Sequence, residues 1–271
     1  MIQPRGIPIH RLPPDVRRDL IAYLGQFITE HKKERIRQVL PWRTRYVTLV
    51  LEDIYQPQNA SATLRTAEIL GVQDIYIVEN WNAYRLNPKV VMGASKWVNL
   101  YRFRDPEANN TRRCAEYLRA RGYRLVATSP HRPTWTSLDE VPLDRPLALW
   151  FGSELEGLSD EALSLADGVL RIPMYGFTES YNISVSVGIT LFTIIQRLHQ
   201  REDIPWRLTP EEREEVTLTW YLRILDRGDA LARHFLKERG LWPLPATPSE
   251  ALPQPEYDDE GQKALEAHDA A

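Results

Sequence analysis

Gly168–Thr190 reads GVLRIPMYGFTESYNISVSVGIT, and the changes of pattern inside it decide the fold. Val169–Ile172 is a short β-type run, and Gly176, Glu179, Ser180 and Asn182 follow in a polar loop. From Ser184 to Arg201 the pattern is that of a strongly apolar helix, for which Ser184 is a candidate N-cap. A strand that ends in small polar side chains and restarts as a helix suits a ligand pocket at the carboxyl edge of an α/β sheet. The helix carries Val185, Val187, Ile189, Leu191, Phe192, Ile194 and Ile195, leaving no polar face in its first half. Burial in the core and burial against a second subunit both satisfy such a helix.

Working outward, the chain alternates strand and helix signals. Tyr46–Leu51, Asp74–Val78, Tyr123–Thr128 and Leu147–Phe151 read as the four strands preceding Val169–Ile172. Helices are expected over Ser61–Leu70, stopped by Gly71, over Thr111–Arg121, closed by Gly122, and over Glu161–Ala166. This order predicts an α/β fold with a mainly parallel, buried sheet flanked by helices. Pro13–Leu40 adds one or two helices, with Asp15 as a candidate cap, and Pro210–Arg239 adds a charged helical region. Three segments result: a basic helical extension over 1–45, the α/β domain over 46–202, and a helical extension with an acidic, Pro-containing tail over 203–271. Recurrent prolines up to Pro255 and the acids Asp258, Asp259 and Glu260 suggest a tail that is loosely ordered or folds on a partner.

The chain has 271 residues, 43% of them hydrophobic, which is ample for a core, and its net charge of −3 carries no global nucleic-acid signature. The charge is uneven. Within His31–Arg45, Lys32, Lys33, Arg35, Arg37, Arg43 and Arg45 stand against Glu34 alone. A solvated helix face explains such a run, and so does a local RNA footprint. The lone Cys114 excludes an intramolecular disulfide and a cysteine zinc cluster, and reads as a half-buried structural thiol. No metal site is expected. Without a membrane-spanning run or a signal pattern, the expected compartment is cytoplasmic.

Two earlier segments complete the candidate site: Asn59-Ala-Ser-Ala-Thr-Leu-Arg65 and Phe151-Gly-Ser-Glu-Leu-Glu-Gly157. Taken alone, Asn59 is a helix N-cap and Arg65 a solvated arginine; at a sheet's carboxyl edge the guanidinium could instead hold a phosphate or ribose oxygen. Gly152 allows close backbone approach, and Ser153 with Glu154 places a hydroxyl and a carboxylate in the loop. Ser180 and Asn182 have no histidine beside them to activate a nucleophile, which favours binding over covalent chemistry. The absence of a dinucleotide fingerprint, a phosphate loop and a nucleophile elbow argues against NAD enzymes, nucleotide hydrolases and α/β hydrolases.

In this order the three segments, with Gly93-Ala-Ser-Lys-Trp97 between them, resemble the SpoU/TrmH family of RNA ribose 2′-O-methyltransferases from about His31 to Arg201. The resemblance implies a C-terminal deep trefoil knot, a homodimer and S-adenosylmethionine held in the knot. The basic N-terminal helix, motif spacing and C-terminal helices are most similar to the TrmH type, which methylates the D-loop guanosine ribose of tRNA. On that resemblance Arg65 is catalytic, with Asn59, Glu154, Ser180 and Asn182 shaping its site. Thr128, Gly152, Ile172, Met174 and Tyr181 fall on the cofactor loops, Tyr181 where an aliphatic residue is more usual. Lys32, Lys33, Arg35 and Arg37 would meet RNA phosphates. A ribosomal RNA or tRNA anticodon-loop ribose is the alternative substrate, and a non-catalytic RNA-binding protein the alternative class.

Overall fold

The computed structural model describes residues 7–131 and 133–244 and the backbone of 255–256. These residues fall into two compact units, one of residues up to 43 with 207–244, the other of 44–206 with 255–256. The acidic tail beyond Glu256 lies outside the described residues.

The first unit is helical. It opens with α1 (Pro14–Gly25) and α2 (Glu30–Val39). Asp15 does not cap α1: Pro14 occupies the first helical position, where its missing N–H costs nothing, so Asp15 falls inside the first turn. Thr29 caps α2, its side chain accepting from the Lys32 amide.

The second unit runs β1 (Val47–Glu52), α3 (Pro57–Ile69), β2 (Asp74–Val78), the single turn α4 (Pro88–Val91), β3 (Asn99–Phe103), α5 (Asn110–Arg119), β4 (Arg124–Thr128), β5 (Leu147–Phe151), α6 (Asp160–Leu165), β6 (Gly168–Leu170) and α7 (Ile183–His199). The chain then returns to the first unit with α8 (Pro210–Ile224) and α9 (Gly228–Glu238); β7 (Pro255–Glu256) pairs antiparallel with β3 in the second. In the first unit α8 packs on α1 and α9. There Arg17, 6% exposed, bonds the Glu211 carbonyl and the Glu215 carboxylate, each at 3.2 Å.

Six strands form a parallel sheet in the order β6-β4-β5-β1-β2-β3. Successive side chains leave opposite faces of a strand, and both faces here are covered. Leu49, Leu51, Ile75, Ile77, Leu149 and Phe151 join the core beneath α3 and α7, while Val50, Tyr76, Val78, Ala148 and Trp150 join the core beneath α5. The chain winds outward from β1 to β3 on one side and places β5, β4 and β6 on the other. The crevice between β1 and β5 is therefore the switch point, where open α/β sheets bind ligands.

Several boundaries move from the sequence reading. NLYRF, residues 99–103, is a strand missing from it, so Arg124–Thr128 is the fourth strand and Leu147–Phe151 the fifth. The polar Arg102 hides that strand in the sequence; Glu79 neutralises it in the fold with bonds of 2.8 and 2.6 Å. Strand β6 ends at Leu170, so Ile172, Pro173 and Met174 belong to the loop beyond it. Helix α3 begins at Pro57, four residues before Ser61, with Gln56 at its N-cap position. Cys114 is fully buried rather than half-buried.

Candidate active site

Glu154 lies in the loop after β5 and faces the start of α3, across the crevice between β5 and β1. One of its carboxylate oxygens accepts from the Asn59 amide at 2.8 Å and from the Gln56 N–H at 3.4 Å; the other accepts from the Tyr55 N–H at 3.3 Å. An anion there satisfies the peptide N–H groups of the two residues that lead into α3 and complements the helix's positive N-terminal end. Asn59 is not the N-cap expected of it. Because Pro57 starts the helix, Asn59 sits in the first turn, 8% exposed, with its side chain directed to Glu154 and to Gln56 Oε1 at 3.3 Å.

Asn59 Oδ1 in turn accepts from Asn182 Nδ2 at 3.2 Å. Asn182 rather than Ser184 caps α7: its Oδ1 accepts from the Ser184 N–H at 2.9 Å and the Ser184 hydroxyl at 2.7 Å. The two ends of this chain fix its direction. An ionised Glu154 can only accept and the Ser184 peptide N–H can only donate, so both intervening carboxamides have one orientation that satisfies every group. The relay Ser184→Asn182→Asn59→Glu154 joins all three sequence motifs and ties the starts of α3 and α7 together.

Gly152 is required by the turn that carries Glu154. Ser153 and Gly157 exchange two backbone hydrogen bonds of 3.0 Å, and a Cβ on Gly152 would stand 2.0 Å from the Gly157 carbonyl carbon. Gly157 completes the turn at φ +72°, the left-handed region open to glycine.

Arg65 stands outside the relay. Six residues separate it from Asn59 on α3, a rise of about 9 Å and a rotation leaving the two about 120° apart. Its side chain is exposed, on the stripe Gln58, Ala62, Arg65, Ile69. Ser180, two residues before Asn182, is also exposed and takes no part in the relay.

The other site candidates fall on three loops after neighbouring strands. Thr128 ends β4, its hydroxyl donating to the Trp150 carbonyl at 2.7 Å. Gly152 follows β5, and Ile172, Met174 and Tyr181 follow β6. Tyr181 folds back, its hydroxyl donating to the Pro173 carbonyl at 3.3 Å. From Ile172 to Tyr181 no peptide group takes part in a backbone–backbone hydrogen bond among the described residues. Such a run offers N–H and carbonyl groups to a ligand.

On α2 the cations divide. Arg37 bonds Glu34 at 3.0 Å and Glu30 at 3.4 Å, and Lys33 bonds Glu30 at 3.1 Å, whereas Lys32 and Arg35 form no ion pair among the described residues. Arg43 is buried, its guanidinium 5.7 Å from the Trp220 ring centre, and Arg45 bonds Asp74 at 3.0 Å. The basic run is therefore not a single exposed patch. Sequence reasoning passed over Gln56, although Pro57 signalled the helix start beside it. Among the described residues no group of three or more His, Cys, Asp or Glu could hold a metal, and no helix is long and apolar enough to cross a membrane.

Residues 46–192 match the model of the SpoU rRNA Methylase family. A tRNA (guanosine(18)-2′-O)-methyltransferase of Borreliella burgdorferi is 43% identical over 205 residues, covering 76% of this chain and 91% of the relative. A Thermus thermophilus protein of the same name is 35% identical over 193 residues, or 71% of this chain and 96% of that one. Among solved structures, the A. aeolicus TrmH/SpoU tRNA modifying enzyme superposes with a TM-score of 0.63 at 26% identity, over 73% of this chain and 98% of that chain. With the Asn59, Glu154 and Asn182 motifs joined at the switch point of such a sheet, the chain belongs to the SpoU methylase family.

Proposed function

We propose that this protein methylates the 2′-oxygen of a ribose in RNA, the D-loop guanosine of tRNA, using S-adenosylmethionine. The relay through Asn59 carries this reading, because it unites the family's three motifs where the sheet binds ligands. The substrate follows that of the B. burgdorferi and T. thermophilus relatives, as their names state it. When bound, S-adenosylmethionine supplies an electrophilic methyl group on a sulfonium.

The residues fit that cofactor. The loops bearing Thr128, Gly152 and Ile172–Tyr181 end adjacent strands, and the open peptide groups of the last suit both the edge of an adenine and a cationic centre. Glu154, Asn59 and Asn182 position the starts of α3 and α7 around the ribose. A guanidinium stays protonated at neutral pH, so Arg65 acts as a cation: it holds a substrate phosphate and stabilises the charge growing on the 2′-oxygen. The 2′-oxygen takes the methyl as its hydroxyl proton leaves to solvent, the electron pair of the broken carbon–sulfur bond staying on sulfur as a neutral thioether. Lys32, Lys33, Arg35 and Arg37 contribute phosphate contacts.

A homodimer and a deep trefoil knot belong to the same proposal. Asn59 faces Asn182, and a Cβ on Gly188 would stand 3.9 Å from Thr66, so α3 and α7 run parallel. Their outer faces leave Ile69 68%, Val185 47% and Phe192 57% exposed, an apolar surface suited to an isologous partner. Arg65 shares the exposed stripe with Ile69, so closure of a dimer would remove water around it. The knot is supported by the path of the chain: β6 lies at the sheet's far edge, yet α7 after it packs on α3.

The test is methyl transfer from labelled S-adenosylmethionine to unmodified tRNA and to ribosomal RNA, with the labelled nucleotide mapped. Label on the D-loop guanosine ribose supports the proposal, and label on ribosomal RNA replaces the substrate. An Arg65→Ala variant that folds, binds cofactor and methylates at the wild-type rate would remove the role given to Arg65.

A further inference from the structure

On the side of the crevice away from the three candidate cofactor loops, an indole is held out to solvent. Asp53, in the left-handed region at φ 51°, follows β1 and collects the loop after β2. Its Oδ1 accepts from the amides of Asn80 and Trp81, each at 2.8 Å, and of Asn82 at 3.1 Å. The flanking side chains are also committed: Asn80 donates to Thr111 Oγ1 at 2.9 Å, and Asn82 to the Asp53 carbonyl at 3.0 Å. Trp81 is thus set on a pinned backbone, yet its side chain is 89% exposed. Tryptophan is among the most buried residue types on average, so a rigid loop that presents one to water calls for a ligand.

The position says which ligand. Strand β2 neighbours β1, which neighbours β5, so the strand that leads to Trp81 stands two strand spacings, about 10 Å, from the strand that leads to Glu154. The candidate cofactor loops follow β5, β4 and β6, in the opposite direction along the edge. Tyr55, 67% exposed, lies between, on the segment whose amide Glu154 holds. An RNA strand with its target ribose at the crevice would carry a flanking nucleotide over this side of the edge. Proteins that recognise unpaired RNA stack exposed bases on aromatic side chains.

We infer that Trp81 is a stacking platform for an unpaired base next to the methylated nucleotide, a specificity-determining contact that rests on the RNA substrate proposed above. Stacking on an aromatic side chain contributes about 1–3 kcal/mol per base, equivalent to about 5- to 150-fold in affinity.

The experiment uses the full chain and its Trp81→Ala, Trp81→Leu and Trp81→Phe variants. Affinity for unmodified tRNA, KM and kcat are measured beside cofactor affinity and the thermal midpoint. Ala and Leu are expected to raise Kd and KM by about 5- to 100-fold, and Phe by less than about 3-fold. The kcat at saturating RNA, cofactor affinity and thermal midpoint should stay at wild-type values. Tight binding by Trp81→Ala would overturn the inference; so would Leu restoring affinity as well as Phe, since that marks simple apolar contact. The substrate reading is judged separately, by where the wild-type protein places its label. If that is ribosomal RNA, the same variants are compared on it, and a wild-type protein that binds neither RNA also overturns the inference.

Discussion

Replacing Asn59 by Asp changes one N–H₂ group to an oxygen and turns the relay against itself. The new carboxylate would stand where a donor now lies 2.8 Å from Glu154 Oε1. At an effective dielectric constant of about 20, two charges at that distance repel by about 6 kcal/mol. The pair escapes by holding a proton. From a carboxylate with an ordinary pKa of about 3.9, that costs about 1.4 kcal/mol per pH unit, or about 4 kcal/mol at pH 7. Proton uptake is the cheaper route at pH 7 and sets the ceiling. Water around the partly exposed Glu154 lowers it further, so Asn59→Asp should lose about 2–4 kcal/mol at pH 7 and about 1–2 kcal/mol at pH 5. The sign follows from linkage. The folded pair's pKa is raised, the folded state binds more protons than the unfolded state, and the deficit grows as pH rises above about 4. Asn59→Ala breaks the same bonds without adding charge, and its deficit should be nearly flat over that range. Urea unfolding of wild type and both variants at pH 5, 6, 7 and 8 measures this. A deficit in Asn59→Asp that does not vary with pH, or that grows towards acid, would refute the relay as described.

Gly152→Ala forces a Cβ into the Gly157 backbone, so it should cost about 1–3 kcal/mol and lower methyl transfer by displacing Glu154. Gly176→Ala, with nothing within 4 Å of the added carbon, should stay within about 0.5 kcal/mol in the same unfolding assay. Burial, reinforced by Glu52, raises the Cys114 thiol pKa well above its ordinary value. The native thiol should therefore resist a disulfide reagent at pH 8 and react as one equivalent in denaturant. Because the folded pKa is raised, its contribution to stability is complete below the ordinary thiol pKa and fades as pH rises beyond it. On α2, the double variant of Lys32→Ala and Arg35→Ala should reduce the slope of log affinity against log salt by about two, measured with tRNA. The corresponding double variant of Lys33 and Arg37 should do less, since Glu30 and Glu34 already engage those cations.

What the sequence made legible depended on whether a residue's neighbours were local. Ile75–Val78, entered through Asp74, and Leu147–Phe151 are hydrophobic runs buried on both faces, and the limits read for the two strands match those observed. Asn99–Phe103 escaped because its polar residues are satisfied from afar: Asn99 bonds Asp74 at 2.9 Å, and Arg102 bonds Glu79. Distance in sequence also explains the reading of Asn59. Local pattern makes it a cap, but its partners are Glu154, 95 positions away, and Asn182, 123 away. Ser184 lost the cap of α7 to Asn182, two residues earlier, a difference that spacing alone does not decide. The apolar helix was legible as needing burial, but its two faces were not. Val187, Leu191, Ile194 and Leu198 enter the core, while Val185 and Phe192 remain outside.

That division bears on how the site would work. The relay consumes Glu154, Asn59 and Asn182 in one another, with its acceptor-only end already holding the Tyr55 and Gln56 amides. A group so committed has little freedom to take a substrate proton, because protonating Glu154 would surrender the charge that anchors the start of α3. Glu154 is accordingly a positioning residue in the proposed reaction. Around the crevice, the exposed groups outside the relay include Arg65 on the outer stripe of α3, Ser180 in the loop before α7, and Trp81 beyond the crevice. Substitutions should sort the same way. Changes in the relay should lower stability and kcat together, whereas changes at Trp81 should move KM and leave the fold intact. If Glu154→Gln left stability unchanged and abolished transfer alone, the carboxylate would be acting on substrate, and its assignment as an anchor of α3 would have to be given up.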